Sequence, residues 1–376
     1  MEPPVIVGIT GANGFLGWHT KCYLFARGIE FVTATRDTFA SPQALEAFAE
    51  QSDVVLHIAG VNRADTDQEV VEGNLKLADA LIDACSQAAT PPGVVYANST
   101  KARGGGSYGE AKAEAAARLA MYASNAGTFF ADIRFPHLFG EFGVPNYNSA
   151  ITTFAYQLAH GENSQVDDGQ LELLHAQGAV SLMCEAAQHA RTQTLDPPGA
   201  AIAVPEVYSR MKRLARYADG GTIPDMNGSQ LDLELFNTIR SQMWPDAYPM
   251  PLTRHEDDRG AFFEVVRAWG QGQTSISTTV PGVIRGEHFH FEKVERFAVI
   301  SGQATIRVRR LFTDQVHRFD VNGTEPVFVD MPPLCTHDIT NTGNQELVTL
   351  FWSHDHFDPT ADDTYPAAVV GNELVA

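Results

Sequence analysis

The chain has 376 residues, 44% hydrophobic and 19% charged, which is enough apolar material for two or three globular cores. Its formal net charge of -20 argues against nucleic acid or an anionic membrane as a partner, because both would repel it. A nucleotide substrate is not excluded, since a helix N-terminus or a local cation binds phosphate even on an acidic protein.

Four cysteines, Cys22, Cys85, Cys184 and Cys335, show no paired spacing, so a reducing compartment fits better than a disulfide frame. Met1-Glu2-Pro3-Pro4 leads directly into a strand-like run, with no apolar leader or membrane-length segment. The expectation is a cytoplasmic protein without membrane insertion.

Val5 to Ile9 is a short apolar run, followed by Thr10-Gly11-Ala12-Asn13-Gly14-Phe15-Leu16-Gly17 and an amphipathic helix to about Arg27. Strand, glycine-rich turn and helix make a pyrophosphate site, with backbone N–H groups and the positive helix end facing the ligand. The candidate cofactor contacts are Gly11, Asn13, Gly14, Phe15, Leu16 and Gly17. A second strand, Phe31 to Thr35, ends in Arg36 where an NAD ribose would want an acid. A cation there suits a 2'-phosphate and favours NADP(H), with a plain surface charge as the alternative.

Helical Pro42–Glu50 precedes a strand from Asp53 whose end, Ala59-Gly60, should border the cofactor; His57 reads as a packed strand residue. A long helix from Asp67 to Ala88 carries Asn74, and a strand from Gly93 to Ala97 runs into Asn98-Ser99-Thr100. Tyr108-Gly-Glu-Ala-Lys112 then opens an Ala-rich helix, with both side chains on one face. An ammonium beside a phenol favours the phenolate and lowers a pKa that starts near about 10. A tyrosine that hands a proton to a reduced carbonyl oxygen is what hydride transfer requires.

To this point the chain resembles the extended short-chain dehydrogenase/reductase family, a Rossmann-like doubly wound parallel sheet. The resemblance implies Tyr108 as acid/base, Lys112 as its partner, and Ser99 as carbonyl hydrogen-bond donor, with Thr100 as the alternative. It also implies that Arg134-Phe-Pro136-His137-Leu-Phe-Gly140 follows the sixth strand near nicotinamide and substrate, His137 standing where many relatives carry Asn. Pro145-Asn146-Tyr147-Asn148-Ser149 is expected to open a helix contacting the sugar nucleotide through Asn146 and Asn148. The Tyr-Val-Asp-like segment expected between Leu171 and Val180 is replaced by His175-Ala-Gln-Gly.

Residues 205–240 read as helices closing a first domain, 1–243, and a proline-rich link from Trp244 to Pro251 opens a second, 244–376. Short alternating strands follow, as in a barrel or sandwich. Gly282-x5-His288-x-His290-x4-Glu295-x6-Gly302 puts two imidazoles on one strand face, with Glu295 expected on the partner strand of a hairpin. His337 follows a Pro-led turn. Three imidazoles and a carboxylate suit Zn, Fe, Ni or Mn better than Ca or Mg. Cys335 reads as a small buried residue and His354-Asp355-His356 as a solvated strand end.

This spacing resembles the two signature motifs of the cupin family, all-β double-stranded barrels, except that Leu334 stands where a glycine is expected, so the turn should close differently. Arg285-Gly286-x-His288 together with Asp257-Asp258-Arg259-Gly260 resembles the cupin epimerases of deoxy-4-keto sugar nucleotides. That implies Arg259 and Arg285 gripping phosphate and His288 as base, whereas the second imidazole, His290, points to a bound metal. A histidine does not easily serve as both ligand and base.

The order of the two halves resembles the bifunctional CapF-type enzymes of capsular polysaccharide and O-antigen synthesis. Membership implies a UDP-2-acetamido-2,6-dideoxy-4-hexulose substrate, C3 epimerisation in the cupin and NADPH reduction at C4, a divalent metal (zinc foremost) and a homodimer. A single-function 4-ketoreductase whose cupin only dimerises or captures substrate is the alternative.

Overall fold

A computed structural model describes residues 5–226, 228–360 and 362–370. The expectation for Met1–Pro4 lies outside them. Contacts divide the chain into two compact units. One joins the segment ending at Phe139 to Gln170–Ile202; the other joins Gly140–Gly169 to the segment starting at Ala203.

The first unit alternates strand and helix: β1 (Val7–Thr10), α1 (Phe15–Ala26), β2 (Phe31–Ala34), α2 (Arg36–Ala40), α3 (Pro42–Glu50), β3 (Val54–His57), α4 (Asp67–Gln87), β4 (Gly93–Ser99), α5 (Gly106–Ala126), β5 (Phe130–Phe135) and β6 (His137–Phe139). After α6 (Ala150–Ala159) of the other unit come β7 (Gln170–His175), α7 (Ala176–His189), β8 (Gln193–Leu195) and β9 (Ala200–Ala203). β1 and β3 are buried along their whole length, as strands covered by helices on both faces must be. Thr66 and Glu69 form a reciprocal cap on α4, while Gly127 in the left-handed region ends α5. Alanines of α4 and α5 (Ala78, Ala115, Ala116) let the helices approach closely beside Leu81 and Leu119.

The parallel sheet has the order β2-β1-β3-β4-β5-β8. The usual dinucleotide order places two strands on the far side of the first; here only β2 is present. The loop at Arg134–Gly140 therefore follows the fifth strand rather than the sixth. The order reverses between β1 and β3, and a ligand crevice opens at the carboxyl ends of such strands.

The second unit holds α6, α8 (Val204–Ala215), α9 (Gln230–Met243) and twelve strands: β10 (Met250–Pro251), β11 (Arg254–Asp257), β12 (Gly260–Phe263), β13 (Gln273–Thr279), β14 (Ile284–Phe289), β15 (Glu295–Ser301), β16 (Gln303–Arg310), β17 (Val316–Asn322), β18 (Val327–Met331), β19 (Cys335–Asn341), β20 (Leu347–Ser353) and β21 (Tyr365–Pro366). Two five-stranded antiparallel sheets, β10-β18-β15-β20-β13 and β17-β16-β19-β14-β21, build the barrel; β11 and β12 form a separate hairpin. Phe297 of one sheet, packed against Phe351, meets His337 of the other across the interior.

The helices read as closing the first domain pack against this barrel instead. Arg240 of α9 donates to the Met331 carbonyl and Asn237 to that of Glu292 (2.8 Å). Beneath them Arg296 and Asp330 form a buried ion pair (2.7 Å), with Asp330 also accepting from the Tyr217 hydroxyl. Two buried charges persist because each is neutralised and hydrogen-bonded.

Candidate active sites

The glycine turn closes over the switch point. Gly11 is at φ +70, and a Cβ there would lie 2.8 Å from the Ala59 nitrogen; one on Gly17 would lie 2.2 Å from the Gly11 carbonyl oxygen. β1, the turn and β3 thus meet backbone to backbone. No side chain caps α1, so its leading amides stay open to an anion. Two residues given no role from sequence shape this crevice. Buried Thr10 accepts from the amides of Ile58 and Ala59 (3.1 Å each) and bonds His57 Nδ1 (2.8 Å). Asn74 clasps Val61 through both its N–H and C=O, fixing the chain after Ala59-Gly60. His57 is a packed residue: burial pushes it down to about 3. Arg36 is exposed as the first residue of α2, two residues beyond β2, and Asn13 Oδ1 accepts from Lys21 (3.5 Å).

Ser99 ends β4. The short gap to Tyr108 is closed by a 3-10 turn, Thr100–Arg103, and by three glycines, of which Gly104 (φ +123) and Gly106 (φ +68) hold left-handed backbone. Gly109 packs so closely that a Cβ would sit 2.1 Å from the Lys101 carbonyl oxygen. Lys112 is buried and reaches under the site, donating to the Ala97 carbonyl (2.8 Å) with Nζ 4.0 Å from the Tyr96 ring centre. Burial lowers its pKa to about 7, and burial raises that of Tyr108. Burial therefore moves the phenol up rather than down from its ordinary value, while the Lys112 ammonium donates to Ala97 and lies over Tyr96. His137 is half-buried and lowered by burial and by Lys101. Asn146 and Asn148 are exposed in the other unit, just before Ser149 caps α6.

In the barrel, donor atoms of His288, His290, Glu295 and His337 lie within 4.8 Å of one another. Glu295 arrives differently from expectation. β15 pairs with β18 and β20, not with β14, so the carboxylate faces the imidazoles from the opposite sheet. His290 Nδ1 contacts the Asp363 carbonyl (2.5 Å) and His337 Nδ1 that of Cys335 (3.1 Å). A carbonyl only accepts, so both Nδ1 atoms carry the proton and Nε2 is the nitrogen turned inward. Those Nε2 atoms stand 3.3 and 3.4 Å from Glu295 Oε2. His337 Nε2 is buried with no hydrogen-bond partner. A carboxylate and imidazole nitrogens converging on one buried point suit a cation between them, a proton or a metal, and the carbonyl-held Nδ1 atoms are the outer support that metal-binding histidines use. The four residues fit a divalent transition metal.

Burial and the adjoining imidazoles of His337 and His290 push His288 down to about 3, so it is a neutral donor. For Glu295, burial opposes ionisation, but contacts with His290 and His337 outweigh it and hold the carboxyl well below its usual range. Leu334 takes the left-handed conformation itself (φ +57), donating to the His290 carbonyl (2.8 Å). The turn therefore closes as it would with glycine. Cys335 is buried and outside the donor cluster. His354 is not solvated: its Nδ1 accepts from the Val294 amide (3.0 Å) and burial lowers its pKa.

A cavity of about 720 Å3 opens beside the cluster, lined by His288, Glu295, Phe297, Ser275 and Arg285 among others. Arg285 is braced by Thr279 (3.0 Å) and Thr278 (3.2 Å). Arg259 is not brought there; it is exposed at the β11–β12 turn and paired with Asp257 (2.6 Å). Among the described residues no helix is long and apolar enough to cross a membrane.

A switch-point dinucleotide crevice beside Ser99, Tyr108 and Lys112 belongs to the nucleotide-sugar epimerases and reductases, here joined to a cupin-type barrel. The chain belongs to the NAD dependent epimerase/dehydratase family, whose model matches residues 7–196; a polysaccharide biosynthesis C-terminal domain matches residues 255–365. In this two-part build it is of the CapF type. It is 31% identical to UDP-2-acetamido-2,6-beta-L-arabino-hexul-4-ose reductase of Pseudomonas aeruginosa, over 96% of this chain and 98% of that one. Capsular polysaccharide assembling protein CapF from Staphylococcus aureus is 30% identical with a TM-score of 0.61, covering 96% of this chain and 99% of that one. Spore coat polysaccharide biosynthesis protein SpsL of Bacillus subtilis is 25% identical over 30% of this chain and 81% of its own.

Proposed function

We propose that the chain carries two reactions on a UDP-2-acetamido-2,6-dideoxy-4-hexulose. The barrel inverts C3, and the N-terminal part then reduces the C4 ketone with NADPH to a UDP-2-acetamido-2,6-dideoxy-L-talose, on the way to UDP-N-acetyl-L-fucosamine for capsule or O-antigen. The observation that carries the reading is the presence in one chain of an inward-facing three-imidazole, one-carboxylate cluster at a cavity and a Ser99, Tyr108, Lys112 set beside a dinucleotide crevice. The sugar in the name of the Pseudomonas relative supports the sugar assignment. Reduction chemistry lies within residues 1–243 and barrel chemistry within 244–376. The enzyme acts in the cytoplasm as a homodimer, which sedimentation tests.

NADPH supplies the hydride, held by the Gly11–Gly17 turn, Ala59-Gly60, Tyr108 and Lys112, with Arg36 at its 2'-phosphate. Ser99 hydrogen-bonds the C4 oxygen, Tyr108 delivers the proton to that oxygen as it becomes a hydroxyl, and Lys112 orients the ribose and supports the phenolate left behind. In the barrel, a divalent transition metal, zinc foremost, supplies Lewis acidity beside the ketone when held by His288, His290, Glu295 and His337. Arg285 binds diphosphate at the cavity, while Arg259 reaches it only by leaving Asp257. A base takes the C3 proton from one face, the bonding electrons pass to the C4 oxygen as an enolate, and a solvent-derived proton is delivered to C3 from the other face; such general base catalysis is typically worth about 10²–10⁴-fold. His288 is the candidate if it is not a ligand; if it is, the base is another group such as a hydroxide, and metal retention in His288→Ala separates the two. His137, Asn146 and Asn148 contact the sugar nucleotide.

Tyr108→Phe is expected to stop NADPH oxidation while leaving solvent deuterium exchange at C3 intact. His288→Ala is expected to do the reverse when supplied with C3-inverted substrate. Loss of both activities in either variant would count against two sites, whereas NADPH oxidation by wild type with no C3 exchange would reduce the chain to a 4-ketoreductase.

A further inference from the structure

Behind Ser99 lies a polar group that the reduction as described does not use. Asp132, in the middle of β5, is 8% exposed; apart from Arg134 the strand is apolar. Its Oδ1 accepts from Asn98 Nδ2 (2.8 Å), and Asn98 Oδ1 accepts the backbone N–H of Ser99 (2.8 Å). Register places Asp132 opposite Tyr96, the ring over which the Lys112 ammonium sits at 4.0 Å. A buried carboxylate in a parallel sheet costs stability unless it is matched by charge and hydrogen bonds.

We propose that Asp132 is a positioning residue of the reductase site, aligning Ser99 through Asn98 and keeping Lys112 protonated by supplying its counter-charge. This deepens the reductase reading and rests on it. The opposing influences on the pair are visible around it. Burial lowers Lys112 to about 7 and Asp132 opposes that; His57 of β3 also faces the ammonium. Tyr96 of β4 lies between, coupled to Tyr108 of α5. On the other flank, Arg134 Nε is 3.6 Å from Asp132 Oδ2 and 3.3 Å from Asp196, which also holds Arg103. Burial raises Asp132, with Asn98, Arg134 and Lys112 each pulling it back. Because the carboxylate already has Arg134, Asp132 can stay ionised while Lys112 titrates.

The decisive experiment is lysine side-chain NMR of the full-length apoprotein, with the Lys112 signal assigned by its loss in Lys112→Met. Asp132→Asn keeps the hydrogen-bonding shape and removes the charge, so the Lys112 midpoint is expected to fall by about one pH unit or more. In turnover the alkaline limb of kcat should move down with it, about tenfold in rate at a fixed pH above the limb, with KM little changed. Asn98→Ala cuts the link to Ser99 while sparing the charge; it should lower kcat and leave the Lys112 midpoint in place. An unmoved midpoint in folded Asp132→Asn, or an unchanged kcat in Asn98→Ala, overturns the corresponding half. The NMR arm needs no substrate, so it stands even if wild type fails to reduce the UDP-4-ketosugar, an outcome that sinks the reductase reading instead.

Discussion

Leu334 shows how a single side chain can overrule a motif. It holds a backbone conformation that favours glycine, and its side chain is fully buried. The left-handed region costs an L-residue about 1–2 kcal/mol. Removing a buried leucine costs about 2–5 kcal/mol. Leu334→Gly should therefore destabilise the barrel in thermal unfolding despite matching the family pattern, and a gain in stability would show that strain dominates. Asp330→Asn should cost more, about 3–5 kcal/mol, because Arg296 would be left charged in a dry interior; urea unfolding reads it.

Lys112 gives a pH signature with a definite sign. Its folded pKa is about 7, against roughly 10.4 when unfolded. Between these values the unfolded chain holds a proton that the folded one lacks, so stability rises with pH across the window and is flat below it. The thermal midpoint of the apoprotein, measured against Lys112→Met, should show that rise from about pH 7 to pH 10.

Among the elements, legibility follows the range of the interactions. Helices such as Pro42–Glu50 and Asp67–Gln87 could be read almost to the residue, because caps and periodicity are local signals. The imidazole pair at 288 and 290 was legible for the same reason. The sheet that carries Glu295 was not, since strand pairing over long separations leaves no trace in spacing. Asp132 and Asn98 were readable only as polar interruptions of apolar strands, and their meaning depends on a neighbour 34 positions away. The close packing at Gly17 was legible as a glycine but not as a distance. Gly17→Ala would drive a methyl into the Gly11 carbonyl, an overpacking cost of about 1–3 kcal/mol. NADPH titration by fluorescence should show the weakening, with C3 exchange in the barrel preserved.

For the whole molecule, charge and cysteine spacing are read from composition alone, but the path of the chain through its two units had no sequence signal. The polypeptide leaves the first unit after Phe139, returns at Gln170 and leaves again at Ala203. A fragment beginning at residue 244 would lack Asn237 and Arg240, which hold Glu292 and Met331 at the barrel. Such a fragment should be insoluble or melt well below the intact chain, while one that keeps 140–169 and 203–376 joined by a short linker should recover a cooperative transition in calorimetry. The interleaving reaches into heredity as well: a single crossover between two genes can transfer neither unit without part of the other. Reductase and barrel are thus bound to travel, diverge and be lost together, unlike modules strung end to end.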